Sequence, residues 1–206
     1  MAASEPEAET ASGTGAAATV RNDRRSEAKP VLVAIDMQAI FEPPSPWGAP
    51  DYATASAGIQ RLLPAFGGDA IFTRFVAPER PRGAWVPYYE QWAFALVPDD
   101  DPLYALSEPF RDLAPHLETR PTFGKWDAAF EAAMGGSTEM VLTGVSTDCC
   151  VISTALAAAD AGVHVRVVAD ACAGISPADH QRALDAMALY GPLIEITSVD
   201  EVLAGK

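Results

Sequence analysis

Asp36 and the adjacent cysteines Cys149 and Cys150 are the side chains best suited to bond-breaking chemistry in this sequence. Asp36 directly follows an apolar run, and the cysteines come soon after another such run, in the segment STDCC. A carboxylate can carry a proton and a thiol can attack a carbonyl carbon, so these groups suit covalent hydrolysis. Each also has a structural interpretation, since a strand-end Asp often caps a loop and a free Cys often packs as a small hydrophobe.

The chain alternates short β-branched runs with stretches rich in Ala and Leu. Near-continuous apolar runs are typical of strands buried on both faces of a parallel sheet, and the alternation predicts a three-layer α/β/α fold with a mainly parallel sheet. Ligands of such sheets bind beyond the carboxyl ends of the strands, where we expect Asp36, the two thiols and Asp170. The predicted strands are Val31–Ile35, Ala70–Phe75, Met140–Val145, Val163–Ala169 and Leu193–Thr197, and the predicted helices are Tyr52–Phe66, Asp127–Met134, Cys150–Ala161, Ala178–Tyr190 and Val199–Leu203.

Residues 76–116 break this alternation with many prolines and aromatic side chains. We predict a long excursion with one or two helices, and long loops in compact domains usually carry function. Trp85 in this excursion is a candidate for lining a pocket at the polar edge of the sheet. Phe41 and Trp47 are further candidates, because they follow Asp36 in a proline-rich loop that leaves this edge. Packing within the excursion or at a subunit interface is the alternative role for these rings.

The first 28 residues differ in composition from the rest of the chain. No Leu, Ile, Phe, Trp or Tyr occurs before Val20, so this segment has little apolar surface to offset the entropy of ordering. We therefore predict a disordered tail over residues 1–28 and a single domain over residues 29–206.

Charge and cysteine content limit the partners and the compartment. The 28 acidic and 14 basic residues give a formal net charge of −14, which disfavours nucleic acid and anionic membranes as partners. The apolar runs are too short to span a bilayer, and the acidic amino terminus lacks the features of a secretory signal. Three cysteines do not make the even set of a disulfide framework. These features predict a cytoplasmic protein with free thiols.

Three separated segments together carry a family resemblance. Residues 33–38 read VAIDMQ and are followed by Phe41, Lys125 is followed by the pair AF at residues 129–130, and residues 144–151 read GVSTDCCV. In this order they resemble the Asp-x-Gln-x-x-Phe, the lysine with its Ser/Ala-Phe helix start and the Gly-Val-Ala-Thr-Asp-x-Cys-Val of the isochorismatase-like cysteine hydrolases. That family includes nicotinamidases, N-carbamoylsarcosine amidases and ureidoacrylate-type amidohydrolases. Residues 169–173 resemble its next strand end, so the likeness covers the predicted domain.

The resemblance implies an isochorismatase-like fold of Rossmann type and a catalytic triad of Asp36, Lys125 and Cys150. Cys150 would attack an amide carbonyl as thiolate, with its pKa lowered by Lys125 and by the helix start. Asp36 would take the thiol proton and pass it to the leaving amine. The family's oxyanion hole consists of backbone N–H groups at the positions of Ser146 and Cys150, with a cis peptide joining Val145 to Ser146. Taken by itself, Lys125 would be an ordinary solvated lysine.

The two adjacent thiols are expected to differ in role. Neighbouring residues at a helix start are separated by about 100° around the axis, so only one of them is expected to face the site. The family register selects Cys150, and Cys149 is expected to point elsewhere.

The histidines depart from the pattern of metal-dependent relatives. Nicotinamidases carry an Asp-x-His and further histidines that bind a metal, whereas the matching residues 73–78 read TRFVAP here. His116, His164 and His180 lie elsewhere and are expected to be surface or loop residues. We therefore expect no metal, no other cofactor and no nicotinamidase activity.

The residues and the resemblance together predict a homo-oligomeric hydrolase that cleaves a C–N bond of a small amide or ureide through a thioester acyl-enzyme. Two alternatives stay open. One is a non-catalytic protein that uses the same fold for binding or oligomerisation, which the intact triad disfavours. The other is a vinyl-ether or ester hydrolase with the same site, which the cysteine at position 150 disfavours.

Overall fold

Six parallel strands form one sheet in the computed structural model, which describes residues 28–67, 70–113 and 116–205. The strands are β1 (Val31–Ile35), β2 (Ala70–Phe75), β3 (His116–Arg120), β4 (Glu139–Val145), β5 (His164–Ala173) and β6 (Ile194–Thr197). Neighbouring strands all run parallel, in the order β3-β2-β1-β4-β5-β6. This doubly wound order reverses its direction between β1 and β4, where ligands of such sheets bind. The predicted fold class is confirmed; residues 1–27 of the predicted tail lie outside the described residues.

Helices cover both faces of the sheet. They are α1 (Tyr52–Leu62), α2 (Trp85–Gln91), α3 (Ala128–Ala133), α4 (Ile152–Asp160), α5 (Pro177–Ala188) and α6 (Val199–Ala204). Side chains alternate across β1, so that Leu32 and Ala34 join the core under α1 and α6 while Val33 and Ile35 join the core under α3, α4 and α5. All four are fully buried, which explains the continuous apolar run. None of the helices in the described ranges is long and apolar enough to cross a membrane.

The sequence-based prediction contains no strand corresponding to β3, which begins at His116, the last residue of the predicted excursion. It pairs with β2 at the edge of the sheet, and its sequence HLETR is mostly polar. An edge strand has one open side and needs no continuous apolar run. The prediction also ended β5 too early: the strand extends to Ala173, so Asp170 lies inside it. The Asp170 carboxylate accepts the backbone N–H of Val199 at 2.8 Å and thereby caps α6 instead of serving the site.

The excursion between β2 and β3 contains α2 and three short 3-10 turns, Ala93–Ala95, Pro102–Tyr104 and Glu108–Phe110. Gln38, two residues after Asp36, ties it to the sheet. Its Nε2 donates to the carbonyl oxygens of Phe75 and Tyr104 at 3.0 and 2.7 Å, and its Oε1 accepts the Phe75 N–H at 2.7 Å. The motif glutamine therefore acts as a buried structural clamp beside the site.

Gly144 allows the two strands that carry the site to approach each other. Its φ of 108° is one that other residues rarely adopt, and a Cβ atom there would lie 2.2 Å from the carbonyl oxygen of Ile35. Since Ile35 precedes Asp36, this glycine sets the spacing between the ends of β1 and β4.

Candidate active site

Asp36 is held by the carboxyl ends of two adjacent strands. It follows β1 with a φ of 49°, and its backbone N–H donates to the Thr73 hydroxyl of β2 at 2.9 Å. The same hydroxyl donates to Asp36 Oδ1 at 2.6 Å. The side chain has no solvent exposure. The carboxylate is therefore fixed in one orientation, with Oδ2 left to face other groups.

Lys125 forms a fully buried ion pair with Asp36. Its Nζ lies 2.8 Å from Asp36 Oδ2, and neither side chain is exposed. Nζ also donates to the Thr122 carbonyl oxygen at 2.8 Å and lies 5.5 Å from the centre of the Phe75 ring. A buried ammonium is unfavourable unless it is paired, so the interpretation as a solvated lysine is wrong. Oδ2 therefore faces the ammonium, whereas Oδ1 accepts the Thr73 hydroxyl.

Cys150 lies in a π-helical turn, Thr147–Val151, that follows β4 and continues into α4. Such turns are rare and occur frequently at functional sites. The Thr154 hydroxyl donates to the Cys150 carbonyl oxygen at 2.7 Å and accepts the backbone N–H of Lys125 at 3.1 Å. One hydroxyl thus joins the cysteine turn to the lysine loop. The peptide bond that precedes the turn, between Val145 and Ser146, is cis.

The Cys150 thiol is stabilised in its protonated form in the free protein. Burial raises the pKa of Cys150 well above the ordinary value of a thiol, and the negative charge of Asp36 raises it further, whereas Lys125 lowers it. The expectation that the pKa of Cys150 is lowered is therefore wrong, because burial and Asp36 together outweigh the lysine. Attack on a substrate thus requires a base that removes the proton, and Asp36 is the neighbouring carboxylate.

A pocket of about 190 Å³ opens onto Cys150. Its walls are mainly aromatic, and its lining consists of Phe41, Trp47, Phe75, Tyr88, Trp92, Phe123, Ser146, Asp148, Cys149, Cys150 and Ile175. Phe41 and Trp47 therefore lie where the sequence placed them, with their rings stacked 6.0 Å apart. Ser146 also lines the pocket beside the thiol. The geometry brings a thiol, an ion-paired carboxylate and an apolar enclosure together at one end of the sheet.

Trp85 does not line this pocket, so its assignment as a substrate-binding residue needs correction. Its ring packs against Tyr88, Tyr89 and Phe123 at centroid distances of 5.2, 6.0 and 5.3 Å. Two of these neighbours, Tyr88 and Phe123, do line the pocket. Trp85 therefore supports the wall from behind.

Cys149 also lines the pocket, contrary to the expectation that it points elsewhere. The expectation assumed an α-helical turn, whereas the pair lies in a wider π-helical turn. The Cys149 thiol is half-buried and donates to Asp148 Oδ2 at 3.7 Å. Burial, followed by the charge of Asp148, raises the pKa of Cys149 to about 11. Cys149 is thus a neutral thiol in the pocket wall, one residue from the nucleophile.

Several residues that shape the site were missed by sequence reasoning. Thr73 and Thr154 position the carboxylate and the cysteine turn, and a lone threonine carries no signal for such a role. Phe75 and Phe123 are pocket residues that could have been found, because Phe75 ends β2 at the active edge and Phe123 lies two residues before Lys125.

His180 is more closely connected to the site than the sequence suggested. It lies in α5, half-buried, with its Nδ1 2.8 Å from the Thr147 hydroxyl in the π-helical turn. Burial lowers the pKa of His180, which favours the neutral ring as the partner of this hydroxyl. In the described part of the chain, no group of three or more His, Cys, Asp or Glu side chains could hold a metal ion.

The fold and the site together define an isochorismatase-like hydrolase, in which a cysteine and an ion-paired carboxylate meet at the reversal of a doubly wound sheet. Residues 30–201 match the family model of the isochorismatase domain. The chain therefore belongs to the isochorismatase family. No curated protein sequence matches it significantly.

Solved structures share this fold at low sequence identity. One is a cysteine hydrolase from Pseudomonas syringae pv. phaseolicola 1448A, with a TM-score of 0.74, 20% identity and coverage of 85% of this chain and 91% of that chain. Another is N-carbamoylsarcosine amidase from Thermoplasma acidophilum, with a TM-score of 0.64, 19% identity and coverage of 84% and 97%. A third is pyrazinamidase of Pyrococcus horikoshii in complex with zinc, with a TM-score of 0.65, 24% identity and coverage of 82% and 98%.

Proposed function

We propose that the protein hydrolyses a C–N bond in a small amide or ureide through a thioester formed on Cys150. The observation that supports this proposal most directly is the position of the buried Cys150 thiol beside the Asp36–Lys125 ion pair. Amide hydrolysis by a cysteine requires a nucleophile, a group that carries its proton and donors that stabilise the oxyanion. The solved structures of similar fold include amidases, which agrees with this chemistry.

The proposed reaction begins with transfer of the Cys150 proton to Asp36 as the sulfur attacks the carbonyl carbon. The carbonyl oxygen becomes an oxyanion, for which the backbone N–H groups of Ser146 and Cys150 are the proposed donors. Asp36 then gives the proton to the departing nitrogen, and the amine or ammonia leaves a thioester on Cys150. Asp36 next removes a proton from a water molecule, which attacks the thioester; the C–S bond breaks, the acid is released, and Asp36 returns the proton to the Cys150 sulfur.

Lys125 has an electrostatic role in this scheme. Because its ammonium lies 2.8 Å from Asp36 Oδ2, it stabilises the carboxylate form that accepts the proton. The ammonium itself is not a proton donor in the scheme. The zinc of the pyrazinamidase complex has no counterpart in the proposal, since no histidine side chain lines the pocket.

Release of ammonia from a panel of primary amides, ureides and nicotinamide tests the proposal. We expect turnover of at least one amide or ureide, loss of turnover in Cys150→Ala, and a mass increase on Cys150 equal to the acyl group when the reaction is quenched early. Cys172→Ala is the matched control, because Cys172 is a buried thiol outside the pocket lining. Turnover of esters or vinyl ethers alone, without an acyl-thioester, would contradict the amidase proposal and favour the alternative hydrolase.

A further inference from the structure

The pocket above Cys150 has aromatic walls that meet at steep angles. The Trp47 ring lies 6.1 Å from the Trp92 ring at 66° and 6.0 Å from the Tyr88 ring at 41°. It also lies 5.8 Å from the Phe75 ring at 68°. Since all four rings line the pocket and contact one another through Trp47, they form one continuous aromatic wall. Aromatic faces carry negative potential and attract cations within about 6 Å of the ring centre.

The charges around this space are of one sign. Among the described residues that line the pocket, Asp148 has the only charged side chain, and none is Lys, Arg or His. The nearest cation described at the site, Lys125, is committed to Asp36. A substrate carboxylate in the pocket would therefore find no cationic partner and would lie near a second carboxylate, which is unfavourable in an apolar enclosure.

The Asp148 carboxylate has one oxygen that can still bind a cationic ligand. Its Oδ1 accepts the Ile175 N–H at 3.0 Å, whereas its Oδ2 receives the Cys149 thiol at 3.7 Å, a long contact from a weak donor. Tyr88 adds no charge of its own. Burial, followed by the nearby thiols, raises its pKa to about 12, which keeps the hydroxyl neutral. The walls therefore combine aromatic faces with one carboxylate that is only partly satisfied.

We propose that the pocket selects amides whose non-reacting end carries a weakly hydrated positive charge, such as a quaternary ammonium group, and rejects amides that carry a carboxylate. This inference rests on the proposed amidase function. Trp47, Trp92 and Tyr88 bind the alkylated cation through their faces, and Asp148 supplies the counter-charge. The reaction is ordinary amide hydrolysis: the C–N bond of the carboxamide breaks, water adds, and a zwitterionic acid and ammonium are released.

Three amides of nearly equal size separate charge from shape. They are trimethylammonioacetamide, its uncharged isostere 3,3-dimethylbutanamide, and the anionic monoamide of malonic acid. We expect kcat/KM for the cationic amide to exceed that for the uncharged isostere by about tenfold, since a desolvated cation–π contact is worth roughly that much. The anionic amide should be the poorest of the three.

Binding to the Cys150→Ala variant, measured calorimetrically with the same three amides, keeps the inference separate from the proposed function. The inference is supported if this inactive variant binds the cationic amide most tightly, the uncharged isostere less tightly and the anionic amide least tightly. This holds even if the wild-type protein hydrolyses none of them. Equal or tighter binding of the uncharged isostere, tightest binding of the anion, or no binding of any of the three overturns it. Failure of the amidase proposal would instead appear as loss of turnover across the whole amide and ureide panel.

Asp148→Asn tests the source of the selectivity. Asn can still accept the Ile175 N–H through its amide oxygen, so the fold should persist while the counter-charge is lost. We expect the ratio of kcat/KM for the cationic amide to kcat/KM for the uncharged isostere to fall severalfold. Asp112→Asn, which removes an equal charge from an exposed position outside the pocket lining, should leave the preference unchanged. An equal effect of both substitutions would overturn the role of Asp148.

Discussion

Replacing Lys125 by Met separates the charge of the lysine from its packing. Met retains a long unbranched side chain, but the Asp36 carboxylate then remains fully buried without the cation that lay 2.8 Å away. Removal of one partner from a buried ion pair destabilises a protein by about 3–5 kcal/mol. Since the Thr73 hydroxyl still donates to Asp36 Oδ1, we expect a loss near the lower end, about 3 kcal/mol. The carboxylate also loses the cation that compensates its charge as the proposed base, so we expect kcat/KM to fall by at least about 100-fold.

Urea denaturation of the wild type, Lys125→Met, Asp36→Asn and the double variant measures this coupling. The double variant has neither charge, so its free energy of unfolding should exceed that of Lys125→Met, even though it carries one more substitution. Lys29→Met, at an exposed lysine, is the control and should change stability little. If the two substitutions were additive within about 0.5 kcal/mol, the ion pair would not be the source of the effect and the electrostatic role of Lys125 would be refuted.

Four further predictions concern the thiol, the strand spacing and metal dependence. Because burial and Asp36 raise the pKa of Cys150, iodoacetamide should label Cys150 in the folded protein only above the pH range of ordinary thiols. Asp36→Asn should move this labelling to lower pH. Labelling of wild-type Cys150 at the pH of an ordinary thiol would contradict the raised pKa. The same shift makes the folded state lose stability as pH rises above about 8.5, the ordinary cysteine pKa, and urea titrations should show a smaller loss for Cys150→Ala. Gly144→Ala should prevent folding, since its Cβ would lie 2.2 Å from the Ile35 carbonyl oxygen; a well-folded variant by circular dichroism would show that β1 and β4 can separate. Dialysis against a chelator should leave turnover unchanged, and a large loss restored by zinc would disprove metal independence.

The sheet, Asp36 and Cys150 could be predicted because a short stretch of sequence marks each of them. Asp36 ends a continuous apolar run, and Cys150 follows another, so parallel-strand topology alone places both at one edge. Phe41 and Trp47 follow from the same reasoning, because a short loop leaving that edge cannot carry them far from it. Such patterns can be recognised in the sequence because a strand that is buried on both faces of the sheet needs a nearly continuous run of apolar residues.

Other properties of the site depend on contacts that no local pattern encodes. The burial of Lys125 follows from the loop that brings it against Asp36, which lies far away in the sequence. The direction of the Cys150 pKa shift depends on the balance of burial and two opposite charges, and sequence reasoning counted the lysine without the desolvation. The orientation of Cys149 depends on a π-helical turn, which propensities for α-helix do not anticipate.

In the proposed mechanism, conservation of charge in the buried site gives Lys125 a role even though the thiol remains protonated at rest. Before attack, the site contains a neutral Cys150 thiol, an Asp36 carboxylate and a Lys125 ammonium, so its net charge is zero. After the proposed proton transfer, it contains a thiolate, a neutral acid and the same ammonium, and its net charge is still zero. Without the cation both states would carry one uncompensated negative charge in a region that has almost no contact with solvent. The ammonium therefore stabilises whichever group holds the negative charge, which lets the proton move between sulfur and carboxylate without a large change in electrostatic energy.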